Sequence, residues 1–106
     1  MAWFVLVVAG LLEVVWTYFM KQSEGFTRLV PSAIAIGASL VSFVLLAVAM
    51  KSLPLGTAYT VWTGIGAIGA FAIGIVVLNE PANATRVLAA GLIIAGIVLM
   101  KFSSTT

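Results

Sequence analysis

The sequence predicts an all-α membrane protein with four transmembrane helices, and three observations support this fold class. Hydrophobic residues make up 63% of the 106 residues and charged residues 8%, against roughly 45–50% and 25% in soluble domains. The apolar residues form four stretches, each of about the 17–25 residues that a helix needs to cross a bilayer. Five basic and three acidic side chains could not provide a polar exterior, so we expect lipid to surround the chain.

The predicted spans belong to a single domain, residues 1–106, and cover residues 3–20, 29–50, 55–78 and 84–100. Backbone polar groups find no water in hydrocarbon, so each span is predicted to be a helix rather than a strand. The first span lacks a basic leading segment and a small-residue cleavage site, and it carries a glutamate in its middle. We therefore expect it to be retained rather than cleaved as a signal peptide.

Three short polar connections separate the spans and place neighbouring helices antiparallel. Gly25 and Asn79 suit the C-terminal ends of helices. Thr27, Ser52 and Asn83 suit N-caps, because their side chains can accept a hydrogen bond from the first helical turn.

The basic residues are nearly balanced between the two membrane surfaces. Lys51 and Lys101 lie on the side of the N-terminus, whereas Lys21, Arg28 and Arg86 lie on the opposite side. Lys and Arg near helix ends set orientation in the membrane. Two alternatives follow: a weak bias that still selects one orientation, or insertion in both orientations with formation of an antiparallel dimer.

Glu13 is the ionisable residue deepest in a predicted span. A charge at this depth costs roughly 2.5–3.5 kcal/mol on insertion scales, so such residues are retained mainly for function. One alternative is structural, a hydrogen bond between helices from a protonated Glu13. The favoured prediction is a site for a cation and a proton, which cannot occupy the same oxygens together. This competition predicts a proton-coupled exchanger.

Residues that share a helix face with Glu13, or that lie at similar depth in other spans, are predicted to line its site. In the first span these are Gly10, Trp16 and Thr17. In the second and third spans, Ser42, Tyr59 and Trp62 could each donate a hydrogen bond to Glu13.

Gly64, Gly66 and Gly69 match the G-x-G-x-x-G pattern of dinucleotide-binding sites. No strand precedes them and they lie in a membrane span, so we reject that interpretation. Small residues in such helices are more typical of close packing or a bend.

The composition also excludes several functions. The chain has no Cys and no His, which argues against a metal site, a disulfide or a thiolate nucleophile. No nucleophile and base are paired, so an enzyme is not expected, and no cofactor is expected. No basic run suggests nucleic acid as a partner.

The sequence resembles the small multidrug resistance transporters over essentially its whole length. The resemblance is carried by Glu13, by residues 21–28, and by the run from Leu53 to Gly66 that reads LPLGTAYTVWTGIG. It implies an antiparallel, dual-topology homodimer of four-helix subunits in the bacterial cytoplasmic (inner) membrane. It further implies proton-coupled export of cations through a shared pair of Glu13 carboxylates.

Within that family, the combination of Gly10, Trp16, Ser42, Trp62 and Lys101 resembles the guanidinium exporters. The resemblance implies export of guanidinium and small substituted guanidinium ions.

Thr17 and Thr60 depart from the guanidinium-exporter pattern, in which alanine is usual. They support an alternative, a broader multidrug exporter of quaternary ammonium and aromatic lipophilic cations. Another alternative is a membrane subunit that needs an unlike partner, against which the balanced basic residues argue.

Overall fold

The computed structural model describes residues 1–103, and residues 104–106 of the predicted domain lie outside the described residues. The described chain forms four helices: α1 (Ala2–Gln22), α2 (Leu29–Ala49), α3 (Leu55–Val76) and α4 (Ala84–Ser103). Each has 20–22 residues and is apolar enough to cross a membrane, with a length of about 30 Å at 1.5 Å per residue. The prediction of an all-helical chain with four membrane-spanning helices is confirmed.

The end of α3 differs from the predicted span, which extends to residue 78. The helix ends at Val76 because the chain turns back on itself there. Asn79 adopts a left-handed conformation with φ of 57°, and the N–H of Glu80 donates to the carbonyl of Gly74 at 2.9 Å. Asn79 therefore closes the helix, as predicted, by directing backbone donors to the carbonyls of the last turn.

The predicted N-caps are confirmed at one position and wrong at two. Asn83 accepts a hydrogen bond at its Oδ1 from the N–H of Arg86 at 2.9 Å. In contrast, α2 is preceded by Arg28 and α3 by Pro54. A proline disfavours helical geometry in the residue before it, so α3 begins only after Pro54 and Ser52 stays in the turn.

Thr27 is not an N-cap because its hydroxyl forms hydrogen bonds with the backbone of the preceding turn. Its Oγ1 donates to the carbonyls of Ser23 and Glu24, at 3.2 and 2.9 Å. Gly25 lies in the same turn with φ of 75°, the left-handed geometry that its predicted place after a helix requires.

The helices form a flat assembly with Cα extents of 43 × 34 × 16 Å. α1 lies along both α2 and α3, whereas the backbone of α4 approaches only that of α3. Buried residues come from the first three helices and their connections, and α4 has none. The core therefore lies at the junction of α1, α2 and α3, where Leu6, Leu46 and Val61 pack together.

Candidate functional site

Small residues let α1 and α3 approach closely around the middle of the bundle. Gly10 of α1 lies against Ile65, and a methyl group added at Gly10 would lie 2.8 Å from the Cβ of Ile65. Gly69 of α3 lies against the side chain of Val14 in the same way. These contacts are too tight for any side chain, so both glycines are required by the packing of the two helices.

The Glu13 carboxyl group lies in this crossing, directly on the backbone of Gly66. A methyl group at Gly66 would overlap the carboxyl group and lie 2.7 Å from the Glu13 Cγ. The residue is half-buried, and its Oε1 is buried without a hydrogen-bond partner. Buried carboxyl oxygens usually accept a hydrogen bond, so this unpartnered oxygen marks Glu13 as a candidate binding group.

Ser42 joins the three core helices through two hydrogen bonds. Its Oγ donates to the carbonyl of Ala9 in α1 at 2.8 Å and accepts from Nε1 of Trp62 in α3 at 3.0 Å. Ser42 is fully buried and Trp62 is 6% exposed. Because both bonds are sheltered from water, they fix the relative rotation of α1, α2 and α3 one turn before Glu13.

Within the single chain, Ser42 and Trp62 donate to other groups than Glu13. Ser42 uses its single proton on Ala9, and Trp62 uses its single N–H on Ser42. Tyr59 is 53% exposed and contacts Trp62 through its ring. The three side chains lie close together. Trp62 donates to Ser42, and Ser42 donates to the backbone carbonyl of Ala9 rather than to the carboxylate of Glu13.

Four aromatic rings form a continuous row beside this hydrogen-bonded junction. The ring centroids are separated by 6.0 Å between Trp16 and Phe43, 5.9 Å between Phe43 and Trp62, and 5.7 Å between Trp62 and Tyr59. The indole N–H of Trp16 is buried without a partner. We call these four residues the aromatic row.

Phe43 was not among the predicted site residues, although it connects the two tryptophans. The sequence signal was its position next to Ser42, on the same part of α2. Nothing in the sequence alone indicated that α2 would place this ring between α1 and α3.

Thr17 and Thr60 occupy different surroundings. The Thr17 hydroxyl donates to the carbonyls of Glu13 and Val14, at 2.8 and 3.0 Å, and so bonds to its own helix. Thr60 is exposed and lines a groove of about 600 Å³ between α3 and α4. Within one chain, Thr17 therefore contacts the backbone of Glu13, whereas Thr60 lines a different groove.

The three glycines of the G-x-G-x-x-G pattern lie at helix contacts on two sides of α3. Gly66 and Gly69 face α1, whereas Gly64 lies against Ile97 of α4, where an added methyl group would be 2.8 Å from Ile97 Cδ1. The helix is continuous from Leu55 to Val76. Close packing therefore accounts for these glycines.

The Ser42–Trp62 pair should show measurable coupling in stability. Ser42→Ala leaves the Trp62 N–H buried without an acceptor, and Trp62→Phe removes that donor, so each variant should lower stability by about 1 kcal/mol or more. In a double-mutant cycle, the two losses should be non-additive by about 1 kcal/mol.

Thermal or denaturant unfolding in detergent provides this measurement. Ser39→Ala is the matched control, because the Ser39 hydroxyl bonds only to the carbonyl of Ile36 in its own helix. Additive losses for Ser42 and Trp62 would contradict the coupling.

The arrangement combines a half-buried carboxyl group, an unpaired oxygen and adjacent aromatic rings. A carboxylate in such surroundings can bind a proton or a cation, and aromatic faces attract cations. The residues thus suit a positively charged ligand with hydrogen-bond donors.

Comparison with known proteins is consistent with this chemistry. The family model described as "Small Multidrug Resistance protein" matches residues 1–93. A protein of Yersinia pestis named "Guanidinium exporter" is 58% identical over 104 residues, which cover 98% of this chain and 100% of the relative. Proteins of the same name from Escherichia coli (strain K12) and Salmonella typhimurium are 57% and 56% identical, with coverage of 98% of this chain and 99% of each relative.

Proposed function

The chain belongs to the small multidrug resistance family, and from this premise we propose that it exports guanidinium and small substituted guanidinium ions in exchange for protons. It is a multi-pass protein of the bacterial inner membrane and a transporter rather than an enzyme. The observation that carries the proposal is the Glu13 carboxyl group, buried at Oε1 with no hydrogen-bond partner.

Guanidinium fits this carboxyl group by shape and by charge. The ion is planar, and two of its N–H groups can bond to the two oxygens of a carboxylate, as an arginine side chain does. Trp16 of the aromatic row lies one helical turn from Glu13 and offers a flat surface to the ion. Since Trp62 already donates to Ser42 and Ser42 to the carbonyl of Ala9, the carboxylate must supply most of the polar contacts.

Exchange follows from competition at the same oxygens. A proton on Glu13 neutralises the carboxylate and removes the attraction for the organic cation. Binding of the cation in turn displaces the proton, so each ligand lowers the affinity for the other. A protein that opens alternately to the two sides only when loaded would then couple inward proton movement to outward cation movement.

We propose that the working unit is an antiparallel, dual-topology homodimer. Three features support it: the absence of buried residues in α4, the 16 Å thickness of the single chain, and the split of two and three basic residues between the membrane surfaces. Opposite insertion would relate the two Glu13 residues by a two-fold axis in the membrane plane. Such symmetry underlies alternating access in other transporters.

Proton movement in proteoliposomes tests the function. With the purified chain alone in the membrane, an inward guanidinium gradient should drive protons out of the vesicle, and methylguanidinium should act similarly. Tetraethylammonium lacks N–H donors and should give a much smaller response. Protein-free vesicles are the control.

The absence of any proton movement with folded protein would overturn the proposal. Activity that appears only after an unlike subunit is added would replace the homodimer with a paired assembly.

The aromatic row favours one alternative, a broader exporter of quaternary ammonium and aromatic lipophilic cations. Thr17 lies one turn from Glu13, at a position where the guanidinium-exporter pattern usually has alanine. Tight binding of tetraphenylphosphonium together with a weak guanidinium response would favour this alternative.

A further inference from the structure

An apolar groove lies between the N-terminal part of α1, the middle of α3 and the C-terminal part of α4. It encloses about 560 Å³. Its apolar walls include Trp3, Phe4, Val61, Ile97, Val98 and Phe102. The groove is open to the outside, since Phe4 is 65% exposed and Phe102 is 81% exposed. In a membrane-spanning chain, this opening lies within the bilayer rather than in water.

One positive charge lies at the end of the groove. The Nζ of Lys101 is 4.6 Å from the centroid of the Trp3 ring, and both residues line the groove. Both also lie in the terminal turns of their helices, at the depth of the lipid headgroups. The Trp3 Nε1 is buried without a partner, so unsatisfied donors are concentrated at this end.

Within residues 1–103, no acidic side chain lies on the same membrane side as Lys101. Glu24 and Glu80 lie in the connections at the opposite end of the helices, about one bilayer thickness away. The ammonium group has three N–H donors and no acceptor, and contact with an indole face leaves some of these donors available. The bilayer surface offers a partner with the required charge, the phosphate of a lipid headgroup.

We infer that this groove binds one anionic phospholipid, with an acyl chain between α1 and α4 and the headgroup phosphate at Lys101. The charge at one end and the apolar walls beyond it match the two parts of such a lipid. Bulk lipid is as apolar as the groove, so the acyl chain adds little discrimination. Selectivity between lipids should therefore come from the headgroup. The inferred lipid site does not depend on which cation the protein exports.

Lipid titration followed by native mass spectrometry tests the inference. Detergent-purified protein is titrated with phosphatidylglycerol and, separately, with phosphatidylcholine carrying the same acyl chains. The ratio of dissociation constants should favour phosphatidylglycerol by about fivefold, as expected for one basic residue beside an anionic lipid. Lys101→Gln should reduce the ratio to near one, whereas Lys101→Arg should retain it.

Two matched controls distinguish lipid binding in this groove from nonspecific attraction of anionic lipid to any basic residue. Lys51 lies on the same membrane side as Lys101 but in the connection between α2 and α3, so Lys51→Gln should leave the ratio unchanged. Val98→Trp should fill the groove and weaken both lipids, whereas Val44→Trp, at an exposed position of α2, should weaken neither.

The same spectra report the oligomeric state. Equal loss of preference in Lys51→Gln and Lys101→Gln would overturn the site, as would a wild-type protein that does not discriminate between the lipids. If Lys101→Gln changed the proportion of dimer without changing lipid binding, Lys101 would instead contact a second copy of the chain, which would also overturn the inference.

Discussion

Replacement of Glu13 with glutamine should abolish proton-coupled transport while leaving the protein folded. Glutamine has nearly the same size, and Oε1 of Glu13 has no hydrogen-bond partner to lose. The amide does not exchange a proton as a carboxyl group does, and it carries no charge to attract a cation. Proton movement driven by guanidinium should therefore fall to the level of protein-free vesicles, while circular dichroism and elution volume match the wild type.

Binding as a function of pH makes this test more specific. In the wild-type protein, guanidinium binding should weaken as the pH is lowered, because protons compete for the Glu13 oxygens. In Glu13→Gln, residual binding should not depend on pH.

Glu24→Gln is the matched control, because it makes the same chemical change at an exposed position of the first connection and should transport normally. If Glu13→Gln retained pH-dependent exchange, the carboxyl group would not be the shared site.

Gly66→Ala should impair transport by displacing the same carboxyl group. The new methyl group would occupy the space that the Glu13 side chain fills now, so the side chain must rotate or the helices must separate. Misplacement of a binding group by about 1 Å can cost up to on the order of a hundredfold in rate, so we expect a loss of roughly tenfold to a hundredfold. Guanidinium uptake by proteoliposomes at several concentrations measures the loss.

Gly37→Ala controls for the change from glycine to alanine within a helix. No atom lies within 4 Å of a methyl group at Gly37, so this variant gains the same helix propensity without a clash. It should transport at the wild-type rate. Equal rates for both variants would show that the carboxyl group moves freely and that its contact with Gly66 does not position it.

The sequence predicts the helices well because hydrophobic length in a bilayer is a strong constraint. Four apolar stretches with few charges leave almost no other solution. The errors fall at the ends of the helices, where local hydrogen bonds decide. Thr27 and Ser52 are residue types typical of N-caps. However, Thr27 forms a hydrogen bond with the preceding turn, and Ser52 is separated from α3 by Pro54.

The site is predicted less completely, because the sequence does not specify how each helix is rotated about its own axis relative to its neighbours. Glu13 stands out because a carboxyl group in hydrocarbon needs a function. The partners of Ser42 depend on how three helices face one another, which their own periodicity does not specify. The same limit applies to Phe43 and to the side of α3 on which each glycine lies.

The backbone of α4 approaches only that of α3, and this has a consequence for how the protein can diverge. Substitutions on the outer surface of α4 touch neither Glu13 nor the Ser42 junction, so this surface can change while the chemistry of exchange is retained. In contrast, α1 and α3 share glycine contacts that tolerate almost no added volume. We expect natural variation in the described part of this chain to be tolerated most readily on the outer surface of α4.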